Sequence, residues 1–214
     1  MSEIIVKNYT KKIANDVILD DINYTFRAGV VYGIKGKNGS GKTMLLRAIS
    51  GLISSTSGYV EVDGKIIGKD CSFPTDIGIL IEKPGFLDWL SGEENLYELS
   101  QIRKKIGKKE IDGILKTFGL YEERKKKYRK YSLGMKQKIG LCSAFMENPD
   151  IILLDEPTNA LDEQAVNTLR AQIEVAKKRG AVIIVTSHDL DELNTVADEI
   201  LVMKRGHLDA DFVE

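Results

Sequence analysis

Val30-Val31-Tyr32-Gly33-Ile34 runs almost directly into Gly36-Lys37-Asn38-Gly39-Ser40-Gly41-Lys42-Thr43, and a helical pattern follows in which Leu45, Leu46, Ile49 and Leu52 can face a core. A short apolar strand, a loop of the form G-x-x-x-x-G-K-[ST] and a helix in immediate succession point to an α/β unit that binds phosphate. The glycines let backbone N–H groups curl around phosphate oxygens, and the helix start adds the positive end of its dipole. Lys42 can reach the outer phosphates and the Thr43 hydroxyl can ligate magnesium. A glycine-rich turn with a chance lysine would not need a strand and a helix in register on either side of it.

Three more apolar runs, Ile77-Gly78-Ile79-Leu80-Ile81, Ile151-Ile152-Leu153-Leu154 and Ala181-Val182-Ile183-Ile184-Val185, have the continuous character of parallel strands buried on both faces. Each ends in polar sequence, where open parallel sheets place their ligands. Val166, Leu169, Ile173 and Ala176 recur at helical spacing between Asp162 and Arg179, with Gly180 as the stop. The N-terminal stretch through Phe26 and the stretch Gly58–Gly64 alternate instead, which predicts antiparallel strands beside the parallel core. Residues 91–131 read as a helical insertion, opened by a Ser91 to Glu94 capping box and continued through Ile111, Ile114, Leu115 and Phe118.

The chain has 214 residues, 43% hydrophobic and 29% charged, enough for one large domain spanning 1–214 and unlike a fibrous or disordered protein. Lys and Arg number 31 against 32 Asp and Glu, so no general pull toward nucleic acid or anionic lipid is expected. The basic runs Arg103-Lys104-Lys105 and Arg124-Lys125-Lys126-Lys127 read as solvated helix faces. Cys71 and Cys142 form no metal or disulfide pattern and are expected to be free thiols in a reducing cytosol. No stretch approaches the roughly 18 apolar residues needed to span a bilayer.

Asp155 and Glu156 close the third run. Carboxylates at the exit of a buried strand are costly unless they have a task. The first can hold magnesium and the second can orient an attacking water. Tyr131-Ser132-Leu133-Gly134-Met135-Lys136-Gln137-Lys138 then completes a set of motifs that resembles the ATP-binding subunits of ABC transporters. It is similar to the signature usually written L-S-G-G-Q, with Leu133 in place of the first glycine and Met135 in place of the glutamine. On that resemblance Ser132 and Gly134 start a helix that caps the γ-phosphate of an ATP held by a partner subunit. Asn159-Ala160-Leu161-Asp162 looks like the D-loop, and His188 looks like the switch histidine that contacts the γ-phosphate. The implied fold is a P-loop parallel sheet with an antiparallel β subdomain and a helical insertion.

The chain departs from the family pattern twice. Glu82 stands where the Q-loop glutamine is usual, keeping a metal-facing oxygen and adding a charge. Ile13 stands where an aromatic ring usually packs on adenine, which implies looser base selectivity. The stretch Leu80–Leu87 together with the signature is most like the bacterial exporter branch handling bacitracin-like and lantibiotic peptides or drugs. The resemblance implies ATP and Mg2+, a homodimer or a pair with a related subunit, and a transmembrane permease on a separate chain. It places the protein in the cytoplasm, peripheral on the inner face of the membrane, with no nucleic acid partner. Pro84-Gly85-Phe86-Leu87-Asp88-Trp89-Leu90, apolar yet opening on turn chemistry, is the expected docking surface for the permease. A soluble ABC-type ATPase acting on nucleic acid or ribosomes is the alternative, but the long heptad helices or second cassette of such proteins are missing. No N-K-x-D guanine-reading motif occurs.

Overall fold

All four apolar runs form adjacent strands of one parallel sheet in the computed structural model, which describes residues 2–82 and 85–209. The chain opens with β1 (Glu3–Ile13), β2 (Asp16–Arg27) and β3 (Val31–Lys35), then α1 (Lys42–Ile49), β4 (Ser57–Val62), β5 (Lys65–Ile66) and β6 (Ile77–Leu80). Next come α2 (Gly92–Arg103), α3 (Lys108–Thr117), a 3-10 turn at Tyr128–Lys130, α4 (Leu133–Phe145), β7 (Ile151–Asp155) and α5 (Glu163–Lys178). β8 (Val182–Ser187), α6 (Leu190–Asn194), β9 (Glu199–Lys204) and β10 (His207–Asp209) close it.

The larger sheet has the order β10-β9-β3-β8-β7-β6, parallel except for the edge strand β10, which runs antiparallel to β9, and the smaller, antiparallel one the order β2-β1-β4-β5. Strand periodicity explains how the first is buried on both sides: Ile152, Leu154 and Ile183 point into one core and Ile151, Leu153, Val182 and Ile184 into the other. The first core is closed by Leu96, Ile111 and Leu115 of the insertion, Ile139 and Phe145 of α4, and Leu169 and Ile173 of α5. The second lies between the two sheets around α1, with Leu45, Leu46 and Ile49 packed against Phe26, Ile4 and Val60. Cys142 is buried in the first core, which pushes its thiol pKa up and keeps it protonated.

The expected antiparallel strands and the Ser91 capping box are present. Two local expectations need correction. Leu52 is 51% exposed because α1 ends at Ile49 and the chain turns away at Gly51. In α5 the buried stripe is Ala165, Leu169, Ile173 and Ala176, with Val166 only half-buried. The sequence reading also missed β9, a fifth parallel strand pairing Tyr32 with Glu199 through Lys35 with Val202.

Candidate nucleotide site

The register of the parallel sheet gathers the chemistry at one edge. Leu80 pairs with Leu154 and Asp155 with Thr186, while Lys35 pairs with Ser187, so the segments leaving β3, β6, β7 and β8 emerge side by side. After β3 the chain curls through Gly36–Gly41 and enters α1 at Lys42. Gly41 has φ +113°, a backbone conformation closed to ordinary L residues, and this turn aims the first helical N–H groups at the loop centre. Lys42 is buried, its Nζ donating to the Gly36 carbonyl at 2.5 Å and lying 3.2 Å from Glu156 Oε1. Ser40 Oγ is buried in the same loop and has no hydrogen-bond partner among the described residues. An orphaned hydroxyl beside a lysine and a helix start fits an anion with several acceptor oxygens.

Asp155 is buried and held from two sides: Thr43 Oγ1 donates to Oδ2 at 2.8 Å and Thr186 Oγ1 to Oδ1 at 2.7 Å. A hydroxyl and a carboxylate in contact are hard oxygen donors, the chemistry magnesium prefers when phosphates supply its other ligands. Thr186 also accepts from the Glu156 backbone N–H at 3.1 Å. Glu156 itself sits at φ +46° beyond the strand end, with its Oε2 2.9 Å from His188 Nδ1. A cavity of about 340 Å³ is lined by Ile18, Lys37–Met44 and Glu156. A second, of about 520 Å³, shares Lys37–Ser40 and adds Gly36, His188, Lys204 and Arg205 with no carboxylate in its lining. Together they leave a groove of positive character on both sides of the loop.

The other expected residues lie apart. Ser132 caps α4, its Oγ accepting from Met135 N–H at 3.2 Å, and neither it nor Gly134 lines these two cavities. Gly134 approaches the Ala160 carbonyl so closely that a Cβ would come to 2.7 Å. Asp162 caps α5 through Ala165 N–H at 2.7 Å and pairs with Lys138 at 2.7 Å, which holds its carboxyl below the usual range. Ser132, Gly134 and Asp162 therefore form a second cluster where α4 meets the turn before α5.

Glu82 pairs with Arg47 at 2.8 Å, one helical turn beyond Thr43, and makes no hydrogen bond or ion pair with Thr43 or Asp155. Ile13 is 51% exposed at the end of β1, while Ile18 lines the loop cavity. Sequence reasoning missed Ile18, Thr186 and Arg47. Thr186 alone carried a signal, as a polar residue ending an apolar run.

The ABC transporter family matches residues 19–159, covering both the glycine loop and the Asp155–Glu156 pair. The chain belongs to that family. It is 45% identical to the uncharacterized ABC transporter ATP-binding protein YybJ of Bacillus subtilis over 95% of this chain and 94% of that one. It is 37% identical to the bacitracin transport ATP-binding protein BcrA of Bacillus licheniformis over 97% of this chain and 69% of that protein. The lantibiotic transport ATP-binding protein SrtF of Streptococcus pyogenes is 32% identical over 95% of this chain and 87% of its own. The solved structure of an ATP-binding subunit of an ABC transporter superposes with a TM-score of 0.87 at 24% identity over 96% of this chain and 87% of that one, which shows the fold. The chain is thus the ATP-binding, ATP-hydrolysing subunit of an ABC transporter. Among its described residues no helix is long and apolar enough to cross a membrane.

Proposed function

We propose that the chain, as one ATP-binding domain over 1–214 with 91–131 as its helical subdomain, hydrolyses ATP in a head-to-tail pair. It thereby drives a permease on a separate polypeptide that exports a peptide or drug. The observation that carries the reading is the separation of Ser132 and Gly134 from the loop of Lys42: a second copy has to bring its own signature helix to the phosphates. The kinship with bacitracin and lantibiotic transport proteins supports the cargo class.

In this reading Gly36, Asn38, Gly39, Ser40, Gly41 and Lys42 bind the phosphates, Ile13 and Ile18 lie toward the base, and Asp162 orders the facing loop. Thr43 and Asp155 are the residues that would hold magnesium, with Glu82 a further candidate oxygen donor paired to Arg47, one helical turn beyond Thr43. Magnesium held there would neutralise negative charge on the phosphates. Thr186 fixes the Asp155 carboxylate and the Glu156 backbone, so the Glu156 carboxylate is aimed by groups on two neighbouring strands. Glu156 accepts the proton of the attacking water, and His188, already at 2.9 Å, orients Glu156 and reaches the outer phosphate. The permease docks near Leu87, which is 41% exposed and tied through its backbone to Asn95 of α2. This docking seats the chain at the inner face of the membrane.

ATP turnover by the isolated chain tests the assignment. Glu156→Gln lowers the rate by about 10²–10⁴-fold while ATP still binds. Lys42→Ala weakens binding itself. Unchanged turnover in Glu156→Gln removes that residue from the water-activating role.

A further inference from the structure

The charge that cancels over the whole chain is distributed very unevenly. Residues 103–130 carry twelve Lys and Arg against four Asp and Glu, so the rest of the molecule is acidic. The surplus is densest in Arg124-Lys125-Lys126-Lys127-Tyr128-Arg129-Lys130, where every side chain but one is basic. The exception is the anchor. Tyr128 is buried, packed edge-on against Phe86 at 5.3 Å and beside Tyr131 at 5.9 Å, which holds its basic neighbours outward on a fixed 3-10 turn.

That turn lies against the chain's only tryptophan. Tyr128 N–H donates to the Leu90 carbonyl at 2.8 Å and Arg129 N–H to the Asp88 carbonyl at 3.2 Å, so Trp89 stands between two residues bound to the basic turn. Trp89 is 65% exposed. Glu93 and Glu94 are engaged by Lys108, Arg124 and Lys127, and Asp88 is the acid that precedes Trp89 in the sequence. Lys125, Arg129 and Lys130 make no ion pair with another described residue.

We propose that Trp89 and the basic turn 124–130 form a membrane-contact surface for anionic lipid headgroups, beyond the contact with the permease. The composition selects lipid over protein. Protein interfaces are enriched in Arg and depleted in Lys, whereas four of these six charges are Lys. A cluster of Lys around one exposed tryptophan is the combination that suits a charged, mobile headgroup layer with an apolar boundary beneath it. Leu87 lies two residues away, so the surface is continuous with the docking segment proposed above and faces the same membrane.

Trp89 makes the experiment direct, because all indole emission of the full chain reports this patch. Vesicles of equal parts phosphatidylglycerol and phosphatidylcholine are expected to shift that emission to the blue and to carry the protein on flotation. Pure phosphatidylcholine vesicles should do neither, and high salt should reverse the effect. The triple variant K125Q/R129Q/K130Q should weaken vesicle binding on the order of a hundredfold, at about 1 kcal/mol per basic residue and 1.4 kcal/mol per factor of ten. Its ATP turnover should be unchanged, which separates loss of this surface from failure of the nucleotide site or of folding. The proposal is overturned by an absent shift with anionic vesicles, by equal binding to zwitterionic ones, or by full binding of the triple variant. It is overturned equally if duplex DNA or an acidic protein binds the turn and competes the vesicles away while leaving Trp89 emission unshifted, since the surface would then be a polyanion or protein site.

Discussion

Glu156 illustrates how one carboxylate is aimed. Lys42 lies 3.2 Å from its Oε1 without hydrogen-bond alignment, His188 contacts its Oε2, and Thr186 holds its backbone. Lys42, Thr43, Asp155 and Glu156 could be named from motifs whose spacing follows from the chemistry of phosphate and metal, and His188 from the resemblance to the family. Arg47 could not. Its partnership with Glu82 joins residues 35 apart in sequence, brought near because α1 packs against β7, the strand beside β6. That pair is 34% and 55% exposed, so it is worth no more than about 1 kcal/mol and is easily exchanged for other contacts. Glu82→Gln is therefore expected to leave stability within about 0.5 kcal/mol and to tighten ATP binding by removing a charge near a polyanion. Glu82→Ala should lower turnover more than binding. Nucleotide titration and steady-state rates measure both, and an unaltered rate in Glu82→Ala places the residue outside the site.

Among the elements, the helical insertion depends on how its first helix is started and anchored. Ser91 and Glu94 form a reciprocal cap, and the hydrogen bond from Ser91 N–H at 2.6 Å, helped by Lys127, draws the Glu94 pKa from 4.5 down to about 2. A depressed carboxylate contributes stability above its unfolded pKa and loses it as pH falls through the folded one. The cap should accordingly weaken between about pH 4.5 and about pH 2. Glu94→Gln should flatten the acid limb of a melting-temperature profile over that window and leave the neutral region nearly parallel to wild type. The docking segment divides in two. The segment read from sequence began at Pro84, which lies outside the described residues. Phe86 turns out to be packed on Tyr128 while Leu87 and Trp89 remain exposed, a split that composition alone does not reveal. Phe86→Ala is expected to cost about 1–3 kcal/mol in denaturant unfolding. Leu87→Glu should leave stability and basal turnover intact while abolishing co-purification with the membrane subunit. A stable, fully coupled Leu87→Glu protein would move the docking surface elsewhere.

At the scale of the whole molecule, buried strands declare themselves because a parallel sheet covered on both faces needs continuous apolar runs. β9 escaped notice because Glu199 and Lys204 bound only four apolar residues, and its place beside β3 is fixed by a pairing 167 residues apart in the chain. The same distance argument governs assembly. The signature cluster of Ser132, Gly134 and Asp162 and the loop of Lys42 lie on separate parts of one subunit, and the first has no ligand chemistry of its own beyond a capped helix start. In the proposed head-to-tail pair the two would meet across subunits, with ATP as the material bridging them. The isolated protein is expected to be monomeric without nucleotide. Glu156→Gln with ATP and magnesium should accumulate a dimer, because binding survives while water activation fails and the bridge is not consumed. Replacing Ser132, whose Oγ caps α4, by Ala in the Glu156→Gln background should reduce that dimer without weakening ATP binding by the monomer, since the lost contact belongs to the opposite subunit. Light scattering after size exclusion measures the first effect and nucleotide titration the second. A Glu156→Gln protein saturated with ATP that stays monomeric at high concentration would show that the phosphates are closed over from within one chain or by another partner, and the head-to-tail pair would have to be abandoned.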